Sequence, residues 1–504
     1  MEKITENLKL IKETLADVRK YSHAAELLGF DQQTLCPIKA MKEQGEIESF
    51  LSNKAFVLQK DPAFVNAVLE LYSNRTEIQN ELDRVMIETL YRKYLREKDI
   101  LPEKQHEHSL IYNRAFVNWI AAKESSDFTR FAPSLSEVRK AQMYEALRHG
   151  DPKSTPYDTM LNLYERGITS ADLDEIFGKC KERLIPLLQK IKASKKKIRT
   201  DFLNEFVTEK AQRKMTEFLL KTIGFDFERG AYATSEHPFT TILGKDDVRV
   251  TTHYYSNSFC SSLFSIIHEG GHALFEQNQP IEDFDYFIEC NKTMGMHESV
   301  SRFYENRIGR SREFIQLIYR KCREIFPEVF YYVNENEFYE AVNMVNPSFI
   351  RTDADELTYT FHIIIRYEME KLMMDVSNHV ATENLPKLWN DKYEQYLGIR
   401  PANDREGILQ DVHWTSGFGY FPAYAIGNMY NAMYYNKMKS EFDLSTAIKS
   451  GDFATINRWM ADHVWAKADR EAPKTWIKNI TGREFTPDDF LDYLEEKYGE
   501  IYEL

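Results

Sequence analysis

Ser261–Gln277 reads SSLFSIIHEGGHALFEQ, and its apolar residues fall on nearly every side of a helix. Leu263, Phe264, Ile266 and Ile267 precede the polar centre, and Ala273, Leu274 and Phe275 follow it. A helix with no wet face belongs in an interior, so the stretch predicts a helix running through the core of a largely helical protein. Its centre, His268-Glu269-Gly270-Gly271-His272, carries groups that an interior does not tolerate unpaired, because a lone buried polar group costs several kcal/mol. Histidines four residues apart share one face of a helix with 3.6 residues per turn, so both imidazoles reach one metal ion. Glu269, beside the first, is placed to take a proton from a water that the metal activates. An HExxH string arises by chance in roughly a few per cent of chains of this length. The plain alternative, a surface helix with two unrelated histidines, is disfavoured by the apolar flanks. Gly270 and Gly271 each cost about 1 kcal/mol against Ala inside a helix, so a substrate or a packed helix is expected to come close to the backbone there.

Outward from this helix, composition sets the class. The chain has 504 residues, with 43% hydrophobic and 13% aromatic content. That is length for about three average domains, yet no low-complexity linker or repeat divides it, and we expect one domain over 1–504. The net charge of −14 argues against a nucleic-acid partner; the run Lys190–Lys197 (KIKASKKK) reads as a solvated helix end. No stretch approaches the roughly 20 apolar residues of a membrane span. The start, MEKITENLKLIKETL, is charged, without an apolar signal core, so a cytoplasmic location away from membranes is expected. Cys36, Cys180, Cys260, Cys290 and Cys322 lack metal-binding spacing and are odd in number, which predicts buried thiols rather than disulfides.

Most segments show helical periodicity, as in Leu8, Ile11, Leu15 and Val18, or Val65, Val68, Leu69 and Leu71. Gly150-Asp151-Pro152 and Ser154-Thr155-Pro156 read as helix ends within a domain. One departure is Pro238–Tyr255 (PFTTILGKDDVRVTTHYY), where Thr, Val, Ile and Tyr surround Gly244-Lys245-Asp246-Asp247, a hairpin signature. A strand edge there offers an extended peptide something to pair with; a purely structural hairpin fits the residues equally well. The fold class is therefore all-α with a small β-hairpin.

A catalytic zinc takes three protein ligands and keeps one position open. Glu276 shares the histidine stripe but lies about 12 Å beyond His268 along the axis at 1.5 Å per residue, which suits ion pairing instead. A third histidine six residues after His272 is ruled out, because position 278 is Asn. The remaining route is a glutamate on a following helix. Glu298, in Met296–Arg302, is the choice, with Glu282 and Glu289 as competitors in less helical sequence. An i,i+4 pair with Arg302 is the structural alternative for Glu298, and both roles are compatible.

Several strings together carry a family resemblance over essentially the whole chain. They are His237-Pro238-Phe239, Asp247-Val248-Arg249-Val250-Thr251, the HEGGH helix, His297-Glu298-Ser299-Val300-Ser301-Arg302, Ile350-Arg351-Thr352-Asp353-Ala354-Asp355-Glu356 and Gly407-Ile408-Leu409-Gln410-Asp411-Val412-His413-Trp414. With these the chain resembles the carboxypeptidase Taq family of metallocarboxypeptidases. The resemblance implies a mostly helical, saddle-like fold with a deep groove, which two helical lobes would flank, and a homodimer. It implies one Zn2+ or Co2+ ion per subunit and removal of single C-terminal residues with broad specificity, proline being disfavoured. It also implies Glu298 as third ligand and Glu269 as general base. Phe30, in Leu28-Gly29-Phe30-Asp31, stands where the family is expected to carry Trp, a departure that touches packing.

Other motif residues supply candidates for the remaining roles. A carboxypeptidase needs a cation for the free α-carboxylate. Arg351 precedes what reads as a helix start, and a guanidinium there combines a bidentate donor with the positive end of the helix dipole. Its structural alternative is a salt bridge to Asp353 or Asp355, and Arg249 is the substitute if the hairpin closes the groove. Tyr420 and Tyr424, in and after the loop Gly417-Phe418-Gly419, are candidates for donating to the developing oxyanion or binding substrate. His237 and His413 are candidates for that role or for holding the peptide backbone. Asp411 and Asp247 read as orienting residues. The expected substrate is a peptide with a free C-terminus. A helical zinc endopeptidase, a dipeptide-releasing enzyme and an inactive helical scaffold are the alternatives.

Overall fold

The computed structural model describes residues 2–100, 102–149, 154–377 and 380–504. The chain is 72% helical with one small sheet. Gly150-Asp151-Pro152 lies outside the described residues, whereas Thr155 caps the helix Pro156–Tyr164 through a reciprocal pair with Asp158. The predicted core helix forms over Phe259–Gln277, and its apolar residues are buried on all sides. At the N-terminus, the helix Glu2–Thr34 packs Ile11 and Leu15 against Phe64, Val68, Leu71, Met86 and Ile87 in a small apolar cluster of its own. The larger core gathers most of the other helices around the motif helix.

The hairpin expected from Pro238–Tyr255 is present and gains a partner. Strands β1 (Gly230–Thr234), β2 (Thr240–Gly244) and β3 (Asp247–Thr252) form a sheet of order β1-β3-β2. β2 runs antiparallel to β3, with Thr240 opposite Val250, and a bulge lies between Ile242 and Gly244. β1 runs parallel to β3, a pairing that the five residues GAYAT do not announce. Phe30 packs edge-on against Phe239 (5.8 Å between centroids), with the Arg249 guanidinium 5.3 Å from its ring. The Thr252 and Ser265 hydroxyls, 2.9 Å apart, tie β3 to the motif helix.

Both motif glycines are explained by packed helices. A Cβ on Gly270 would meet Ile223 Cδ1 at 2.5 Å, on the helix Glu209–Ile223. A Cβ on Gly271 would meet Ser301 Cα at 2.9 Å, on the helix Met294–Arg302. That second helix is approached from another side by Gly427, whose Cβ would lie 3.0 Å from Ser299 N and 3.1 Å from Glu298 Cβ. Gly427 belongs to the helix Pro422–Glu441. The helix bearing Glu298 is thus held backbone to backbone by two neighbours. Its start is anchored by buried Glu165, which accepts from Thr293 Oγ1 (3.0 Å), Gly295 N (2.9 Å) and Tyr430 Oη (2.9 Å). Past Arg302 the helix continues as a π-helical segment, Phe303–Gly309.

All five cysteines are free thiols, as expected, but only Cys180 and Cys322 are fully buried, and Cys290 is exposed. Among the described residues no helix is long and apolar enough to cross a membrane.

Candidate active site

Nε2 of His268, Nε2 of His272 and Oε2 of Glu298 face one another. The carboxylate oxygen lies 3.7 Å from the first nitrogen and 3.6 Å from the second. Among the described residues this is the one group of three or more such side chains able to share an ion. Tetrahedral ligation at 2.0–2.2 Å separates ligand atoms by about 3.3–3.6 Å, so the spacing suits a metal. The competitors point elsewhere: Glu289 pairs with Arg19, and Glu282 is exposed.

The donor set is oriented from behind. His268 Nδ1 lies 2.9 Å from Glu305 Oε2, and His272 Nδ1 lies 2.5 Å from His297 Nδ1. His297 Nε2 in turn lies 2.6 Å from Glu276 Oε1. Protons on the two Nδ1 atoms leave both Nε2 lone pairs turned inward, the tautomer that ligation requires. Burial, and then the neighbouring His272, pushes His297 down to about 4, so it stays a neutral acceptor. Glu276, buried without exposure, also pairs with Lys292 at 3.2 Å. Burial works against the charge on Glu298, but His268, Arg302 and His272 hold its carboxyl far below the usual carboxylate range. Arg302 Nε donates to Glu298 Oε1 at 2.8 Å and its Nη1 donates to Glu305 Oε2 at 2.9 Å. Glu298 is therefore an ionised carboxylate with Oε1 tied to Arg302, and Oε2, which also accepts from Ser301 Oγ at 3.2 Å, aimed at the histidines.

Glu269 is 7% exposed. Its Oε2 accepts from Thr240 Oγ1 at 2.7 Å, the first residue of β2. His237 lies three residues upstream on an exposed turn, where its carbonyl accepts from Ser235 Oγ. No hydrogen bond, ion pair or ring contact among the described residues joins its imidazole to the HExxH side chains. Arg249 is occupied: Nε and Nη2 donate to the two oxygens of Asp247, each at 2.8 Å.

Arg351 stands in a different setting from the one its sequence suggested. Arg351–Asp353 is a 3-10 turn, and the helix begins at Glu356 with Asp355 as its cap. The arginine is therefore ahead of the helix start, and its partner is Asp411 (Nε to Oδ1, 3.0 Å), not Asp353 or Asp355. Asp411 also accepts from Arg366 Nε at 2.8 Å. Arg351 Nη1 donates to Tyr359 Oη at 3.2 Å, and the Arg302 guanidinium lies 4.6 Å from the Tyr359 ring. Tyr359 thereby links Arg351 to the Glu298 cluster, a role its sequence position does not signal. The Arg351 guanidinium lies 5.1 Å from the Tyr424 ring, and Tyr424 Oη donates to Tyr420 Oη at 3.4 Å. Burial raises both phenols, so they remain protonated donors. The His413 ring packs at a tilt against Tyr420 (5.3 Å) and Phe421 (4.6 Å), and burial lowers it to about 4.

The loop carrying Tyr420 rests on a buried acid. Glu370 Oε2 accepts from Gly419 N at 3.0 Å and from Tyr157 Oη at 3.1 Å. Gly419 has φ +92°, and a Cβ there would strike Leu161 N and Met160 C at 2.7 Å. Burial pushes Glu370 up from 4.5 to about 8, against the pull of Gly419, Tyr157 and Arg366. The folded chain thus binds this proton more tightly than the unfolded one. The resulting stability is full below about pH 4.5 and is lost as pH rises through about 8. Glu370→Gln keeps an acceptor without the titration. Its stability relative to the parent is expected to improve from pH 5 to pH 9, each pK unit being worth about 1.4 kcal/mol. Urea unfolding at both pH values reads this directly, and an equal difference at the two would contradict it.

The chain is similar to known proteins over nearly its whole length. The family profile described as carboxypeptidase Taq (M32) metallopeptidase matches residues 10–498. Carboxypeptidase 1 of Bacillus subtilis is 37% identical over 492 residues, covering 97% of each chain. Thermostable carboxypeptidase 1 of Pyrococcus furiosus is 35% identical, covering 99% of this chain and 100% of that one. The crystal structure of the M32 carboxypeptidase from Deinococcus radiodurans superposes with a TM-score of 0.94 at 31% identity, each chain covered in full at 100%.

Proposed function

Because the chain belongs to the carboxypeptidase Taq (M32) family and is a metallocarboxypeptidase, we propose that it releases single C-terminal residues from peptides. Specificity is broad, with proline disfavoured, and the working form is a homodimer; these details rest on the family resemblance. The observation that carries the proposal is the convergence of His268, His272 and Glu298 beside a nearly buried Glu269. The three side chains would hold one divalent ion, Zn2+ or alternatively Co2+. Bound there, the ion supplies Lewis-acid polarisation of the scissile carbonyl and lowers the pKa of a water.

The chain's own groups do the rest. Glu269 accepts the proton of the attacking water and delivers it to the leaving amine. Tyr420, protonated and next to Tyr424, donates to the developing oxyanion; His237 is the second candidate for that role. Arg351 grips the substrate α-carboxylate, since Asp411 and Tyr359 leave its Nη2 without a partner among the described residues. Tyr424 and His413 line the same side, whereas the fork of Arg249 is spent on Asp247.

Mass spectrometry of paired peptides, one with a free and one with an amidated C-terminus, tests this reading. Only the free peptide should shorten, one residue at a time. Arg351→Gln should raise KM at least tenfold, as expected for loss of a charge-assisted hydrogen bond, with metal content unchanged. Internal cleavage of the amidated peptide would overturn the assignment.

A further inference from the structure

The motif helix is fastened to the sheet at two points on one stripe. Ser265 and Glu269 are one turn apart and share a helix face. Thr252 of β3 meets the first and Thr240 of β2 meets the second. Thr240 is itself held in place. Just before it, the Phe239 amide donates to Thr251 Oγ1 at 2.9 Å, and Thr251 N donates back to Phe239 O at 2.8 Å. Ser235 Oγ lies 2.6 Å from Thr251 Oγ1, closing the turn. A β-branched side chain on a strand so pinned has little χ1 freedom.

Its hydroxyl lies 2.7 Å from Glu269 Oε2 and 3.1 Å from the Glu269 carbonyl oxygen. Among the described residues no other group hydrogen-bonds this carboxylate. Glu269 has no ion pair among the described residues either, and glutamate has three side-chain torsions to fix. One oxygen is thus engaged by the sheet and the other is left without a protein partner, as proton transfer requires.

We propose that Thr240 is a positioning residue for Glu269: its hydroxyl holds Oε2 so that Oε1 faces the attacking water. This rests on the reading of Glu269 as general base. The sheet then serves the reaction through one side chain, and the stretch after His237-Pro238-Phe239 acquires a defined task.

The test compares Thr240→Val and Thr240→Ser with the parent holoenzyme and with Glu269→Gln. Valine keeps the shape and strand preference of threonine and removes only the hydroxyl. Loss of a hydrogen bond to a charged group corresponds to roughly a ten- to hundredfold effect. Thr240→Val should lose that factor in kcat, with KM, metal content and unfolding temperature unchanged. Thr240→Ser should restore most of it. The proposal is overturned if Thr240→Val keeps kcat within threefold of the parent, if its loss lies in KM or in bound metal, or if Thr240→Ser is equally slow. A Glu269→Gln enzyme that still turns over removes the general-base reading, and this inference with it. An inactive Glu269→Gln beside a fast Thr240→Val removes the inference alone.

Discussion

Glu269→Gln is expected to bind metal as the parent does and to lose between a hundred- and ten-thousandfold in kcat, the range of general-base catalysis. Glutamine matches the shape of the side chain and can still accept from Thr240, so packing against β2 persists. It cannot take up a proton at neutral pH. None of the three converging atoms belongs to Glu269, so metal content by atomic emission should stay at one per chain. Turnover at a tenth of the parent level would defeat the role assigned to Glu269.

Glu298→Ala is expected to abolish stoichiometric metal binding, and activity with it. Loss of a partner behind a ligand commonly costs 10–100-fold in metal affinity, and loss of a ligand should exceed that. Glu298 Oε2 is the oxygen 3.6–3.7 Å from both histidine nitrogens, whereas Oε1 is spent on Arg302. Arg302 retains Glu305 after the substitution, so the helix should still fold. Glu305→Gln is the matched control, expected to weaken the metal only 10–100-fold because it touches His268 from behind. Competition against a chelator ranks the three proteins. Parent-like affinity in Glu298→Ala would exclude it as a ligand.

What could be read from the sequence was what short spacing controls. The buried motif helix follows from apolar residues around its whole circumference, and the hairpin from its β-branched runs about a turn. Glu298 followed from counting forward to the next glutamate in helical sequence, and the fold brings it to the two histidines. Glu305 was invisible because it lies in a π-helical segment, and π geometry leaves no mark in composition. Thr240, Tyr359 and Arg366 act through contacts that only the tertiary structure makes, and no periodicity points to them. Arg351 was misplaced by a few residues, because Asp353 and Asp355 both resemble helix caps and only Asp355 is one. The two motif glycines signalled a close approach without saying by what, since a substrate and a helix require the same missing Cβ.

The helix carrying Glu298 is bounded by Gly271 on one side and Gly427 on another, and on each side the nearest atom is main chain. Side chains hop between rotamers, whereas backbone held by helical hydrogen bonds has no such alternative wells to visit. The separation between the histidine pair and the third carboxylate is therefore set by the thickness of polypeptide backbone. Thermal noise in the surrounding core has few torsions through which to reach that distance, and the cost of the spacing falls on the backbone entropy that each helical glycine loses.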